Sequence, residues 1–164
     1  MIHIQAPHSY AEHMKENRPV VFFSGSIEMG KAELWQDDFV AELKNDDVLI
    51  LNPRRDDWDS SWDQSIECDY FREQVEWELQ ALEDTDIMLL YLQPGTKSPI
   101  SLLEFGLYAR SAPEHLVVLC PEGFWRKGNV DITCAKYGVK MVETKEELIA
   151  YAKGEIQSRL SNAA

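Results

Sequence analysis

Basic residues are scarce in this chain. Sixteen Lys and Arg face 29 Asp and Glu over 164 residues, a formal charge of −13. Duplex nucleic acid and anionic membranes are gripped by clustered cations, so the charge balance argues against both as partners. Long apolar runs are missing too. No stretch approaches the roughly 20 apolar residues that cross a bilayer. Met1 to Arg18 is polar and has no apolar signal core. A soluble, cytoplasmic protein is the expectation. Cysteine is sparse and odd in number: Cys68, Cys120 and Cys134 match no zinc spacing and are expected as free thiols in a reducing compartment. Cys120 ends an apolar run and is expected in the core. The histidines, His3, His8, His13 and His115, form no metal set, and no Ser-His-Asp triad can be assembled locally. The phosphate-loop pattern GxxxxGK[ST] and the dinucleotide glycine fingerprint are both lacking. No metal or cofactor is therefore expected.

What is present fits one globular domain over residues 1–164, with 45% hydrophobic residues and five tryptophans. Five segments read as strands: Pro19–Ser24, Val48–Leu51, Ile87–Leu92, Leu116–Cys120 and Gly138–Val142. The first four are near-continuous apolar runs, the pattern of strands covered on both faces in a parallel sheet. Helical patterns occupy residues 31–43, 67–83 and 98–112, and Thr144-Lys145-Glu146-Glu147 reads as a capping box opening a C-terminal helix. Ser98-Pro99 reads as an N-cap and first-turn pair. Alternating strands and helices predict an α/β, flavodoxin-like, doubly wound five-stranded parallel sheet of order 2-1-3-4-5, with helices on both faces. Ligands of such sheets sit beyond the carboxyl ends of the strands. Here those ends carry the loops Ser24–Gly30 and Gln93–Ser98.

One carboxylate stands out beside the second loop. From Ile100 to Ala109 every residue is apolar or small except Glu104. A helix apolar nearly all round is normally buried, and a lone buried charge is expensive. Glu78 is a second candidate. On a helical wheel it falls about 20° from Phe71, at the edge of the apolar stripe Phe71, Val75, Leu79 and Leu82. Paired carboxylates suit a nucleophile with an acid–base or positioning partner; a Glu78 that merely flanks the core is the plain alternative. Gly25-Ser26-Ile27 offers backbone N–H groups to an anion or to ribose oxygens. Arg54 and Arg55, with Trp58 and Trp62, could hold a base by stacking and hydrogen bonds. Equally, the tryptophans cover the sheet end and the arginines offset nearby aspartates. Phe124 to Val130 reads as a second aromatic and basic loop. The span Arg54–Asp86 holds twelve acidic and three basic residues, a solvated face or a docking surface for a basic protein.

Between Val20 and Val130 these motifs together resemble the nucleoside 2-deoxyribosyltransferase superfamily, in particular its branch with the motif Ser-Pro-Ile-Ser-Leu-Leu-Glu. Phe22-Phe23-Ser24-Gly25-Ser26-Ile27 is similar to the family's first strand and substrate loop. Glu78, eight residues before Asp86, matches the position of an active-site aspartate. Glu104, in Leu103-Glu104-Phe105-Gly106-Leu107-Tyr108-Ala109, matches the catalytic glutamate. Asn129 matches an Asn that reaches the substrate from a neighbouring subunit, which implies a homodimer or higher homo-oligomer. Ser98 stands where the family places a residue touching sugar or phosphate. The resemblance implies a small-molecule partner, a (2-deoxy)ribonucleoside or nucleotide. Its N-glycosidic bond would be cleaved or transferred through a covalent glycosyl-Glu104 intermediate with net retention. Phe22, Gly25, Ser26, Ile27, Arg54, Ser98 and Asn129 would then contact the substrate, and Glu78 would orient Glu104 or manage a proton.

The chain departs from the family at three places, one of them Glu78 itself, which is a methylene longer than the family's aspartate and alters the positioning. Many members carry a Tyr in the first strand, whereas Phe22 has no hydroxyl. The nucleotide-hydrolysing branch carries an Arg after Gly-Ser-Ile, whereas this chain has Glu28. A carboxylate there would repel a 5′-phosphate unless Arg54 or Arg55 compensates. These departures keep open a non-catalytic nucleoside- or nucleotide-sensing module of the same fold.

Overall fold

A computed structural model describes residues 1–28 and 32–163. Met29, Gly30 and Lys31, expected as the end of the first ligand-side loop and the start of a helix, lie outside the described residues. The sheet begins where only a polar segment was expected, with β1 (Ile2–Gln5). It continues with β2 (Val20–Gly25), β3 (Leu49–Asn52), β4 (Ile87–Tyr91), β5 (Leu116–Leu119) and β6 (Lys140–Val142). All neighbouring pairs are parallel, in the order β1-β3-β2-β4-β5-β6. The α/β class with a parallel sheet is as expected, but the sheet has six strands rather than five. Its order therefore differs from 2-1-3-4-5. Omitting β1, the neighbours run β3-β2-β4-β5-β6. The extra strand is short and alternating: Ile2 and Ile4 pack on the core, and polar His3 and Gln5 follow each of them. An edge strand needs only one apolar face, so it leaves no continuous apolar run to read.

Five helices cover the sheet: α1 (Trp35–Leu43), α2 (Asp69–Asp84), α3 (Pro99–Ser111), α4 (Lys127–Tyr137) and α5 (Lys145–Ala163). Successive strand residues point to opposite faces. Val21, Phe23, Ile50, Leu89 and Val117 meet Trp35, Phe39 and Leu43 of α1 and Leu148, Ala152 and Ile156 of α5. Phe22, Leu51, Met88, Leu90 and Val118 meet Trp77 and Ala81 of α2, Phe105 and Tyr108 of α3, and Val130 and Cys134 of α4. The four central strands, β2 to β5, are buried along their whole length, as their sequence predicts. Helix α4 corrects the reading of residues 124–130 as a loop throughout. It starts at Lys127 and ends at Gly138, whose φ of 74° suits a C-terminal glycine. At the start of α5, Glu147 N donates to Thr144 Oγ1 at 3.1 Å, the first half of the expected capping box, while Glu147 Oε2 accepts from Glu143 N at 2.8 Å, one residue before the N-cap. Among the described residues no helix is long and apolar enough to cross a membrane.

Gly25 ends β2 opposite Tyr91 of β4. Its φ is 149°, and a Cβ there would stand 2.2 Å from Tyr91 O. Only glycine lets the two strands approach this closely, and the approach brings the loops after β2 and β4 side by side.

Candidate functional site

Glu104 lies on α3 and is 6% exposed. The helix is not buried all round. Ser101, Glu104, Phe105, Tyr108 and Ala109 form its buried face, while Ile100, Leu103 and Leu107 are exposed. Glu104 thus points toward the sheet, where Ser24 Oγ, on β2, donates to its Oε2 at 2.5 Å. Ser24 is wholly buried and shares a strand face with Phe22, so the strand supplies from Ser24 the hydroxyl that Phe22 lacks. Phe22 itself is wholly buried in the core and backs the site instead of lining it.

Glu78 reaches the same region from α2. It is half-buried, and its Oε1 accepts from Gln74 Nε2 at 2.7 Å. Gln74 also donates to Pro53 O at 2.9 Å and accepts from Arg55 Nη1 at 3.5 Å. Burial pushes the Glu104 carboxyl above the usual carboxylate range, the negative charge of Glu78 pushes it further, and the Ser24 hydrogen bond opposes both. Burial also raises Glu78, against the hydrogen bond from Gln74. Two neighbouring carboxyls in a poorly hydrated site cannot both ionise cheaply, so the pair tends to retain one proton. Carboxyls of this kind can serve as nucleophile and as acid or base at near-neutral pH.

The loop after β2 is locked to the start of α3. Ser26 Oγ lies 2.7 Å from both Thr96 Oγ1 and Ser98 Oγ, and accepts from Gln93 N at 2.9 Å. Ser101 Oγ donates to Gly25 O at 2.8 Å, and Ala32 N donates to Ile27 O at 3.2 Å. Ser98 stands at the N-cap position in a left-handed conformation, φ 46°, and makes no side-chain capping bond. The expected cap role therefore does not apply to its hydroxyl. Instead, Glu28 Oε1 accepts from Lys97 N at 2.8 Å and Ser98 N at 2.7 Å. Trp125 Nε1 donates to Lys97 O at 2.9 Å and fastens the loop after β5 to the same place.

The other expected contact residues divide. Gly25, Ser26, Ile27 and Ser98 cluster with one another beside α3. Arg54 is buried, and its guanidinium donates to Ala32 O, Glu33 O and Gln36 Oε1, tying the segment that enters α1 to the end of β3. Arg55 pairs with Asp57 at 2.8 Å and lies 5.1 Å over the Trp62 ring. Trp62 stacks on Tyr70, and Trp58 packs against Trp62 and Phe71, so these rings form a cluster on α2. For Arg55 this is the charge-offsetting alternative. Asn129 is exposed in the first turn of α4, and no hydrogen bond joins its side chain to the Glu104 cluster among the described residues. Cys120 and Cys134 are buried, and burial pushes their thiols up to about 11 and about 12, which leaves them protonated and unreactive.

Sequence reasoning passed over Ser24, Gln74 and Thr96 as individual side chains. Two weak signals pointed to the first two: Ser24 sits two residues from Phe22 on one strand face, and Gln74 lies four residues before Glu78 on one helix face.

A family model described as "Nucleoside 2-deoxyribosyltransferase like" matches residues 18–124. The matched span runs from just before β2 to the loop after β5, contains Ser24, Glu28, Glu78 and Glu104, and stops short of Asn129. A search of curated proteins finds no match.

Proposed function

The chain belongs to the nucleoside 2-deoxyribosyltransferase-like family, and we propose that it is an enzyme that cleaves or transfers the N-glycosidic bond of (2-deoxy)ribonucleosides or their nucleotides, with Glu104 as nucleophile. The observation that carries this reading is a buried carboxylate held by Ser24 at one oxygen and paired with a second carboxyl of raised pKa. In the reactive state Glu104 is ionised and Glu78 protonated. Glu104 Oε1 attacks the anomeric carbon as the bond to the base breaks, through an oxocarbenium-like transition state. The bonding electrons leave with the base nitrogen, and a proton passes to the base, with Glu78 as the nearby donor. A glycosyl ester of Glu104 results. An incoming base, or water, then attacks the anomeric carbon from the opposite face, gives its proton to the Glu78 carboxylate and frees the Glu104 carboxylate, with net retention. Ser24 keeps the carboxylate oriented in both steps, and Ser26 and Ser98, hydrogen-bonded to each other, hold together the two loops that border the sugar. Asn129 completes the site from a neighbouring copy in a homo-oligomer.

Base release from a panel of nucleosides and nucleotides, followed by chromatography, tests this. Wild type should release free base. Glu104→Gln should lose at least about a thousandfold in rate, the scale seen when a covalent nucleophile is removed. A slow 2-fluoro substrate should leave a glycosyl adduct on Glu104 by mass spectrometry. Equal release by wild type and Glu104→Gln would refute the assignment. The slight exposure of Glu104 favours a second reading, a nucleoside-sensing module. It would show as saturable binding across the panel with no turnover.

A further inference from the structure

Glu78 needs more holding than a shorter acid would. Its side chain has one more rotatable bond than an aspartate, so an untethered carboxyl samples more positions. Gln74 supplies a tether. It lies one turn earlier on the same face of α2, is 4% exposed, and donates from Nε2 to Glu78 Oε1 at 2.7 Å. The same nitrogen donates to Pro53 O at 2.9 Å, so both amide N–H groups are used. The amide oxygen accepts from Arg55 Nη1 at 3.5 Å. Arg55 is itself fixed: its Nε and Nη2 donate to the two oxygens of Asp57 at 2.8 and 3.0 Å, and its guanidinium lies over the Trp62 ring. A turned amide would set its oxygen against Pro53 O, which only accepts, and its N–H groups against a guanidinium, which only donates. The loop after β3 therefore decides that a nitrogen, not an oxygen, of Gln74 faces Glu78.

We propose that Gln74 is a positioning residue for proton transfer: it holds Glu78 Oε1 as an acceptor and leaves Oε2 to carry the proton exchanged with the base. The inference rests on the glycosidic reading of Glu104 and Glu78. In a neutral carboxyl the oxygen that bears the proton is the poorer acceptor, so a fixed donor at Oε1 directs the proton to Oε2. In the first step that proton passes from Oε2 to the base nitrogen, which takes the electrons of the glycosidic bond. In the second step the incoming base or water gives its proton back to Oε2. Gln74, with both N–H groups engaged, acts through Glu78 alone. Its bond also favours the ionised form of Glu78 and opposes the effect of burial. The charged groups that bear on Glu78 are Glu104 from α3 and, through Gln74, Arg55 with its partner Asp57.

The test compares wild type, Gln74→Met and Gln74→Asn, each checked for folding by thermal melting. Gln74→Met removes the amide at similar volume. Gln74→Asn keeps an amide that is one bond too short to join Pro53 to Glu78, and carries the comparison if Gln74→Met does not fold. The substrates are deoxyguanosine and a nitrophenyl deoxyriboside, whose leaving group departs as a stable anion without a proton. On deoxyguanosine both variants should lose at least about tenfold in kcat, part of what a positioned general acid contributes, with KM within about threefold of wild type. On the nitrophenyl substrate kcat should stay within about threefold of wild type. The falling limb of the pH profile should move to higher pH in both variants, because ionised Glu78 has lost its donor. A structural role would slow both substrates alike and leave the limb in place. That result, or an unchanged rate on deoxyguanosine, would overturn the proposal. If wild type cleaves neither substrate, or Glu104→Gln matches it, the glycosidic reading fails by itself. The Glu78 carboxyl carbon, titrated by NMR, then decides the tether: a midpoint raised in the variants upholds it, and an unmoved midpoint overturns it.

Discussion

Ionising Glu104 is costly because the protein around it replaces water with apolar groups and places Glu78 nearby. A carboxyl whose folded pKa lies above its unfolded value favours folding in its neutral form. Its contribution is fully present below the unfolded value of about 4.3 and is lost as pH rises through the folded value of about 8. Glu104→Gln cannot ionise, so it should melt close to wild type near pH 4 and above it at pH 8. A difference on the order of 2 kcal/mol would appear as about 4–8 °C in a chain of this size. Thermal melts at three pH values check this; a melting difference that is the same at every pH would contradict it. The catalytic form has the opposite requirement. In wild type, kcat/KM should rise with pH as the carboxyl pair loses its first proton and fall again as it loses the second, because the reactive state keeps one proton on Glu78. Glu104 was legible in the sequence because a single charge interrupts nine apolar or small residues. Ser24 and Gln74 were not, because a serine in a strand and a glutamine in a helix are commonplace until a partner faces them.

The strands and helices carry the site by how closely they approach. Gly25 sets the distance between β2 and β4, and through it the contact between the two loops that hold Ser26, Thr96 and Ser98. Gly25→Ala places a Cβ against the Tyr91 carbonyl in a conformation hostile to side chains. It should destabilise the fold by about 2–4 kcal/mol and lower activity more than stability alone explains. Urea unfolding followed by assays under fully folded conditions would check it, and a variant with unchanged midpoint and rate would count against this role. The buried central strands were legible because burial on both faces demands continuous apolar runs. The elements that escaped lacked such a demand. β1 has one apolar face and four residues. α4 buries Val130 and Cys134 amid polar neighbours, too few apolar positions to mark a period.

Over the whole molecule, the surplus of acid is concentrated on residues 54–86, while α3 presents Ile100, Leu103 and Leu107, at i, i+3 and i+7, each more than half exposed. An exposed apolar stripe beside the site suits a second copy of the chain, the arrangement in which Asn129 would reach a neighbour's Glu104. Sedimentation should show a dimer or larger assembly. Leu103→Glu combined with Leu107→Glu should drive it to monomer and cut activity at least tenfold, and Asn129→Ala should lower activity without dissociating it. A fully active wild-type monomer would refute this.

The amino-acid sequence by itself determined the parallel α/β class, the central strands and the isolation of Glu104, because each leaves a local pattern of apolar and charged residues. Tertiary structure alone decided which groups meet. Ser24 came to Glu104 from eighty positions away, and Glu28 came to Lys97 and Ser98 from about seventy. Hydrogen bonds depend on distances and directions that the sheet's register creates and that no local pattern encodes. The same carboxylate that reads in sequence as a simple repulsive charge at residue 28 accepts, in the fold, from the backbone N–H groups of Lys97 and Ser98.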